Sequence, residues 1–250
     1  LAQKMPGNSL GVYGGFSSHI PVPAEDLCVV ESRGDFQLAE LAVIADAVTT
    51  PYQACVRAGL KPGDNVVVVG VTGGVGSYVA QMAKAFGAKT VIGIARDPEK
   101  LKRALKYGAD FVINSTGKDA DAVRNEFREL CKANGLPSHY GWVIFEVTGT
   151  APGQAIALSL LSFIGKLIWI GFGTQKNEYS LSRLMAFDAE IIGTWGCLPK
   201  YYPKVLEWVL NKTIEIRPFT ELRPMSKIKE VFEEAHSGKL MKRVVLTPDF

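Results

Sequence analysis

The stretch most suited to chemistry is Gly70-Val-Thr-Gly73-Gly74-Val-Gly76. Glycines at this spacing let a chain turn sharply, let backbone amides approach an anion, and let a following helix lie close to the preceding strand. A pyrophosphate fits such a turn, because free N–H groups and the helix dipole both favour negative charge. The spacing is G-x-x-G-x-x-G rather than G-x-G-x-x-G, so the reading depends on a strand before it and a helix after it. Nineteen residues after Gly76 comes Ala95-Arg96-Asp97. Dinucleotide sites often place an acidic residue there for the ribose hydroxyls. Ala95 has no carboxylate and leaves room, and Arg96 could pair with a 2′-phosphate. Asp97 competes for the ribose; these residues favour NADP, with NAD kept open.

Other reactive residue types are scattered. Cys28, Cys55, Cys131 and Cys197 form no C-x-x-C pair. That argues against both a disulfide framework and a self-contained cysteine–zinc cluster. His19 could relay a proton, but a lone histidine on a strand is more often structural. His139 and His236 sit in polar contexts and read as solvated. Cys197 reads as a buried apolar thiol.

The elements that must position the glycine turn follow from hydrophobic patterning. Apolar runs of strand length occupy 65–70, 90–95, 111–113, 142–146, 166–171 and 190–193. Helical segments at 74–86, 98–107, 119–134, 152–161 and 181–187 alternate with them. Six strands alternating with helices predict an α/β fold with a doubly wound parallel Rossmann sheet. Upstream, 16–23 and 27–30 read as short strands and 38–58 as helical. Pro51 opens a new helical turn there, capped by Thr49 or Thr50. Pro6, Gly7, Asn8 and Gly11 punctuate the start. Downstream, helices are expected at 201–211 and 225–237, the latter with Ser226 as N-cap, an extended segment at 218–222 and a strand at 243–246.

Composition narrows the function classes. The chain has 250 residues, 47% of them hydrophobic, which is enough for a sizeable core. Its net charge of +3 and lack of a basic block give no support for nucleic-acid binding. The longest apolar stretch, 158–172, is interrupted by Lys166 and falls short of the ~20 residues of a membrane span. No signal peptide is expected, because 1–10 lacks an apolar core. Scattered thiols fit a reducing, cytoplasmic setting.

Several stretches resemble the zinc-type, medium-chain alcohol dehydrogenases. They are Asp46-Ala-Val-Thr-Thr-Pro-Tyr52, the 70–76 turn, Phe145-Glu-Val-Thr-Gly149, Ile170-Gly-Phe-Gly173 and Gly238-Lys-Leu-Met-Lys-Arg-Val-Val-Leu246. Others resemble the 6-hydroxycyclohex-1-ene-1-carbonyl-CoA dehydrogenases of anaerobic aromatic degradation. These are Gln3-Lys-Met-Pro-Gly-Asn8, Gly14-Gly-Phe-Ser-Ser-His-Ile20, Ala45-Asp-Ala-Val-Thr-Thr-Pro-Tyr-Gln53, Leu184-Met-Ala-Phe-Asp188 and Trp195-Gly-Cys-Leu-Pro199. That family oxidises the ring hydroxyl of an alicyclic CoA thioester with NAD.

The resemblance implies that residues 1–45 are the C-terminal remnant of a GroES-like catalytic domain. Residues 46–196 are then the Rossmann domain, and 197–250 a segment returning to the catalytic domain. The chain starts at Leu1 rather than Met, and the rest of the catalytic domain is expected upstream of it. Asp46 then falls at a zinc-ligand position, and Thr50 lies beside the nicotinamide. Val75 packs on the nicotinamide face. Val147, Thr148, Ile170, Gly171 and Phe172 line the adenosine and carboxamide sites, and Lys242 or Arg243 reaches the pyrophosphate. Zinc would lower the pKa of the substrate hydroxyl, and the alkoxide would pass a hydride to NAD or NADP. A homodimer or homotetramer joined through the last two strands of the sheet is also implied. Two alternatives remain: a zinc-free quinone or enoyl reductase of the same superfamily, and an NAD(P)-binding fragment without catalysis.

Overall fold

A computed structural model of the protein describes residues 14–249. The features expected at 3–8 and Gly11 lie outside that range. The chain divides into two compact units, Ile44–Glu215 and a smaller one made of Leu1–Val43 with Ile216–Phe250.

The larger unit is a six-stranded, all-parallel sheet. Its helices and strands alternate: α1 (Thr49–Ala58), β1 (Asn65–Val69), α2 (Gly76–Ala85), β2 (Thr90–Ala95), α3 (Pro98–Lys106), β3 (Phe111–Asn114), α4 (Ala120–Ala133), β4 (Trp142–Glu146), α5 (Ala151–Leu160), β5 (Lys166–Trp169), α6 (Leu181–Phe187), β6 (Glu190–Gly193) and α7 (Tyr202–Leu210). The strand order is β3-β2-β1-β4-β5-β6. The chain therefore reverses its direction of winding between β1 and β4, which opens a crevice at the carboxyl ends of those two strands.

Both faces of the sheet are covered, and for this reason the central strands read as unbroken apolar runs. Val66 to Val69 are all buried. Val67, Val69, Ile92, Ile94, Trp142 and Ile144 point to one face and pack with Val123, Phe127 and Cys131 of α4 and Ile156 and Ala157 of α5. The three α4 residues recur every fourth position, as one buried helical stripe requires. α2 is enclosed along Gly76 to Ala83. Helix starts are fixed by caps. Asp97 accepts from the Glu99 and Lys100 amides, Asp119 from Ala122, and Thr150 from Gly153. β6 ends the sheet, and three of its four residues are exposed.

The smaller unit pairs β7 (Thr220–Pro224) with β8 (Arg243–Thr247) in parallel, with α8 (Ile228–His236) between them in sequence. Arg217 anchors this unit. Its guanidinium donates to Glu40 at 2.8 Å and Asp35 at 3.0 Å and lies 4.3 Å from the centre of the Phe36 ring. Hydrogen bonding from Arg217 holds the Glu40 carboxyl below the usual carboxylate range.

Several local expectations are corrected. Residues 16–23 and 27–30 form no strand. Pro21 and Pro23 cannot donate to a ladder, and Phe16, Leu27 and Val29 stay 61%, 60% and 78% exposed, so burial gives the segment no reason to pair. The 38–58 helix is a 3₁₀ segment, Leu38–Ala45, followed by α1. Neither Thr49 nor Thr50 caps α1; Val48 is its N-cap without a side-chain bond, and the Thr50 hydroxyl turns back to Asp46. Ser226 does not cap α8, because its hydroxyl donates to the Asp249 carboxylate. Cys197 is half-buried rather than buried, with its thiol pushed up to about 11 by desolvation.

Candidate dinucleotide site

The glycine turn occupies the crevice between β1 and β4. Gly70 leaves β1 at φ +96°, a conformation that side chains disfavour. Its N–H donates to the Ile94 carbonyl at 2.8 Å, and its own carbonyl accepts from Gly73 N–H at 2.9 Å. A Cβ on Gly70 would stand 2.7 Å from the Thr148 methyl. A Cβ on Gly76 would overlap the Gly70 carbonyl oxygen. Two glycines are thus required by close approach of one strand end to the next helix. Gly73 and Gly74 are exposed, and Val75 is the half-buried N-cap of α2, with no side-chain cap. The N–H groups of Gly74, Val75 and Gly76 donate to no carbonyl among the described residues. They present the positive end of α2 to the crevice, where a phosphate would satisfy them.

The neighbouring strand ends are bound together by a carboxylate. Glu146, the last residue of β4, is fully buried. It accepts from the Thr148 amide at 2.8 Å, from the Thr148 hydroxyl, and from the Gly149 amide at 3.3 Å. Its backbone carbonyl accepts from the Ile170 and Gly171 amides, each at 3.0 Å. One residue thereby fixes the turns after both β4 and β5. A Cβ on Gly171 would collide with the Gly149 amide and the Glu146 carboxylate, and one on Gly149 with the Phe172 carbonyl. On the far side, Gln175 donates to the Gly149 carbonyl at 2.7 Å and to the side chain of Gln154 at 2.6 Å. Glu146 and Gly149 stand in a stretch that carries the family resemblance, but the sequence assigned no role to them or to Gln154. A charged residue closing the apolar run 142–145 was the signal available for the first.

Val147, Thr148, Ile170, Gly171 and Phe172 therefore gather with the glycine turn at the carboxyl ends of adjacent strands. Phe172 is 76% exposed, with its ring against Trp195 at 6.2 Å. At the end of β2, Ala95 is buried and Arg96 exposed. Arg96 forms no ion pair among the described residues, while Asp97 is committed to capping α3. Thr50 is buried at the first turn of α1, and its hydroxyl donates to Asp46 at 3.1 Å. Arg243 stands on β8 of the smaller unit, apart in sequence and unit from the turn.

The donor set fits a dinucleotide: free amides, a backbone kept bare by glycine, and ordered strand ends around them. It is not by itself a metal centre. Asp46 is an exposed carboxylate, and among the described residues no three His, Cys, Asp or Glu side chains converge to hold an ion. No helix among the described residues is long and apolar enough to cross a membrane.

The sequence matches a family described as zinc-binding dehydrogenase over residues 74–211, more than half of the chain. An NAD-dependent alcohol dehydrogenase of Sulfolobus acidocaldarius is 26% identical over 95% of this chain, which spans 65% of that protein. An alcohol dehydrogenase of Geobacillus stearothermophilus is 27% identical over 100% of the chain and 69% of its own length. Among solved structures, galactitol-1-phosphate dehydrogenase from Escherichia coli superposes with a TM-score of 0.81 at 20% identity, over 94% of this chain and 67% of that one. The likeness to solved structures carries the fold: a parallel Rossmann-type sheet of six strands with flanking helices.

Proposed function

The chain belongs to the zinc-binding dehydrogenase family, and on that premise we propose that it is the cofactor-binding part of an oxidoreductase. The reaction is hydride transfer between a secondary alcohol or ketone and a nicotinamide dinucleotide. The observation that carries this reading is the uncapped, glycine-bared start of α2 in the β1–β4 crevice.

Gly70, Gly73, Gly74 and Gly76 admit the pyrophosphate, and the amides of 74–76 donate to it. Val75 packs against the nicotinamide ring. Val147, Thr148, Ile170, Gly171 and Phe172 receive the rest of the cofactor with backbone groups held still by Glu146. Thr50 places its hydroxyl beside the reacting carbon, oriented by its bond to Asp46. A bound nicotinamide supplies the hydride acceptor, and the protein contributes position and a dry wall.

NAD is the cofactor put forward, supported by relatives whose names carry it. NADP is the second reading, favoured by the unpaired Arg96 and by the engagement of Asp97 as a helix cap. Asp46 is put forward as one carboxylate of a zinc site. An alicyclic CoA thioester is the finer substrate reading, resting on the sequence stretches around Gly14, Ala45, Leu184 and Trp195. Association of two copies through β6 belongs to the same proposal.

Calorimetric titration with NAD and NADP tests the core of the proposal. Saturable binding tighter than about 1 mM is expected for at least one of them. No binding of either would refute it. Turnover assays with simple secondary alcohols and with 6-hydroxycyclohex-1-ene-1-carbonyl-CoA, read as nicotinamide reduction, then separate an enzyme from a binding fragment.

A further inference from the structure

At the opposite end of the sheet from the glycine turn lies a cavity of about 180 Å³. Ser138 precedes β4, Ser162 precedes β5 and Phe187 precedes β6, so the cavity opens at the amino ends of these strands. It is separated from the dinucleotide crevice by the length of the sheet, about 16 Å for a five-residue strand.

Three guanidinium groups line it: Arg124 and Arg128 from α4 and Arg183 from α6. No carboxylate does. Arg124 and Arg128 stand four residues apart and so share a helix face. Arg183 is held over two rings, 5.6 Å from the centre of Tyr179 and 5.3 Å from that of Phe187. Arg124 gives one nitrogen to Asp121 at 3.0 Å, but its Nε is buried without a hydrogen-bond partner. The Ser162 hydroxyl is likewise buried without a partner. Arg128 makes no ion pair or hydrogen bond among the described residues. Arg124 Nε and the Ser162 hydroxyl are the buried donors, and such donors are rarely left unmade, so they point to a missing acceptor.

The charge balance names the sign of that acceptor. One of the three positive charges is offset by Asp121. The ends of α5 and α6 each bring about half a negative charge. About one net positive charge is left, within walls of Phe127, Leu161 and Phe187 that weaken solvent screening. A carboxylate has about four lone-pair sites, enough for one bond from each of three guanidinium groups and a hydroxyl but not for bidentate pairing with each. A phosphate offers three or four oxygens in the geometry that guanidinium groups match. The cavity falls below the ~300 Å³ at which sites for larger ligands begin.

We propose that this cavity is a phosphate site, taking inorganic phosphate or the phosphate of a small monoester, remote from the dinucleotide crevice. The test is calorimetric titration of the whole chain at constant ionic strength with inorganic phosphate and, separately, glycerol phosphate. One site per chain is expected. Binding should weaken at least tenfold in Arg128→Gln, an exposed position whose change leaves the fold intact, and measurably in Ser162→Ala. Tighter binding of inorganic phosphate identifies the free ion as ligand, and tighter binding of glycerol phosphate identifies a monoester. Absence of saturable binding overturns the proposal. So does binding that stays within twofold of the parent in both variants, since phosphate would then sit elsewhere, such as on the glycine turn. A Ser162→Ala protein that is more stable yet binds phosphate unchanged would also overturn it, marking the hydroxyl as an orphan without a ligand.

Discussion

Replacing Gly76 by alanine adds one methyl where the structure has no room. That carbon would overlap the Gly70 carbonyl oxygen and stand 2.8 Å from the carbonyl carbon and 3.0 Å from Val147 Cγ2. Gly70 cannot yield, because its N–H is bonded to Ile94 and its carbonyl to Gly73. The first turn of α2 must therefore move outward. Overpacking of this kind costs about 1–3 kcal/mol, which lowers Tm by about 2–12 °C in a chain of this size. The effect on cofactor binding is larger. Two amide bonds to a charged phosphate, worth about 1.5–3 kcal/mol each, would be lost or lengthened. Their sum predicts a Kd for NAD raised by about 10² to 10⁴. Calorimetry and thermal unfolding read the two quantities separately. Gly193→Ala is the control, since a Cβ there meets nothing within 4 Å and should stay within about 0.5 kcal/mol of the parent. A Gly76→Ala protein with parental Tm and a Kd within threefold of the parent would refute the steric argument and the placement of the pyrophosphate together.

Glu146→Ala should destabilise the larger unit by about 2–4 kcal/mol, because the amides of Thr148 and Gly149 lose a buried charged acceptor. Denaturant unfolding measures it, and a change under 1 kcal/mol would mean that water replaces the carboxylate. The Glu40 carboxyl is held low by Arg217, so its contribution to stability is full above its unfolded value, ~4.3, and is lost as pH falls through the lower folded value. In Arg217→Gln, NMR titration should find Glu40 back in the ordinary carboxylate range; an unmoved midpoint would contradict the pairing.

How far the sequence reached depended on the range of the forces concerned. The central strands were legible because β1, β2 and β4 are buried on both faces and so had to be continuously apolar, whatever their neighbours. The glycine turn was legible because only glycine satisfies a positive φ at Gly70 and an absent Cβ at Gly76. The 16–30 strands failed because strand propensity without a partner edge forms no ladder. Thr50 was misjudged as a cap because its choice of partner depended on where Asp46 came to lie, one helical turn away. Asp97 had two uses by type, and only the start of α3 decided that its carboxylate caps a helix. Tertiary structure alone made Glu146 the clasp of two strand ends, and alone brought three arginines from two helices around one cavity. Those arrangements join residues distant in sequence through short-range hydrogen bonds and charge. Neither hydrophobic periodicity nor local spacing records them.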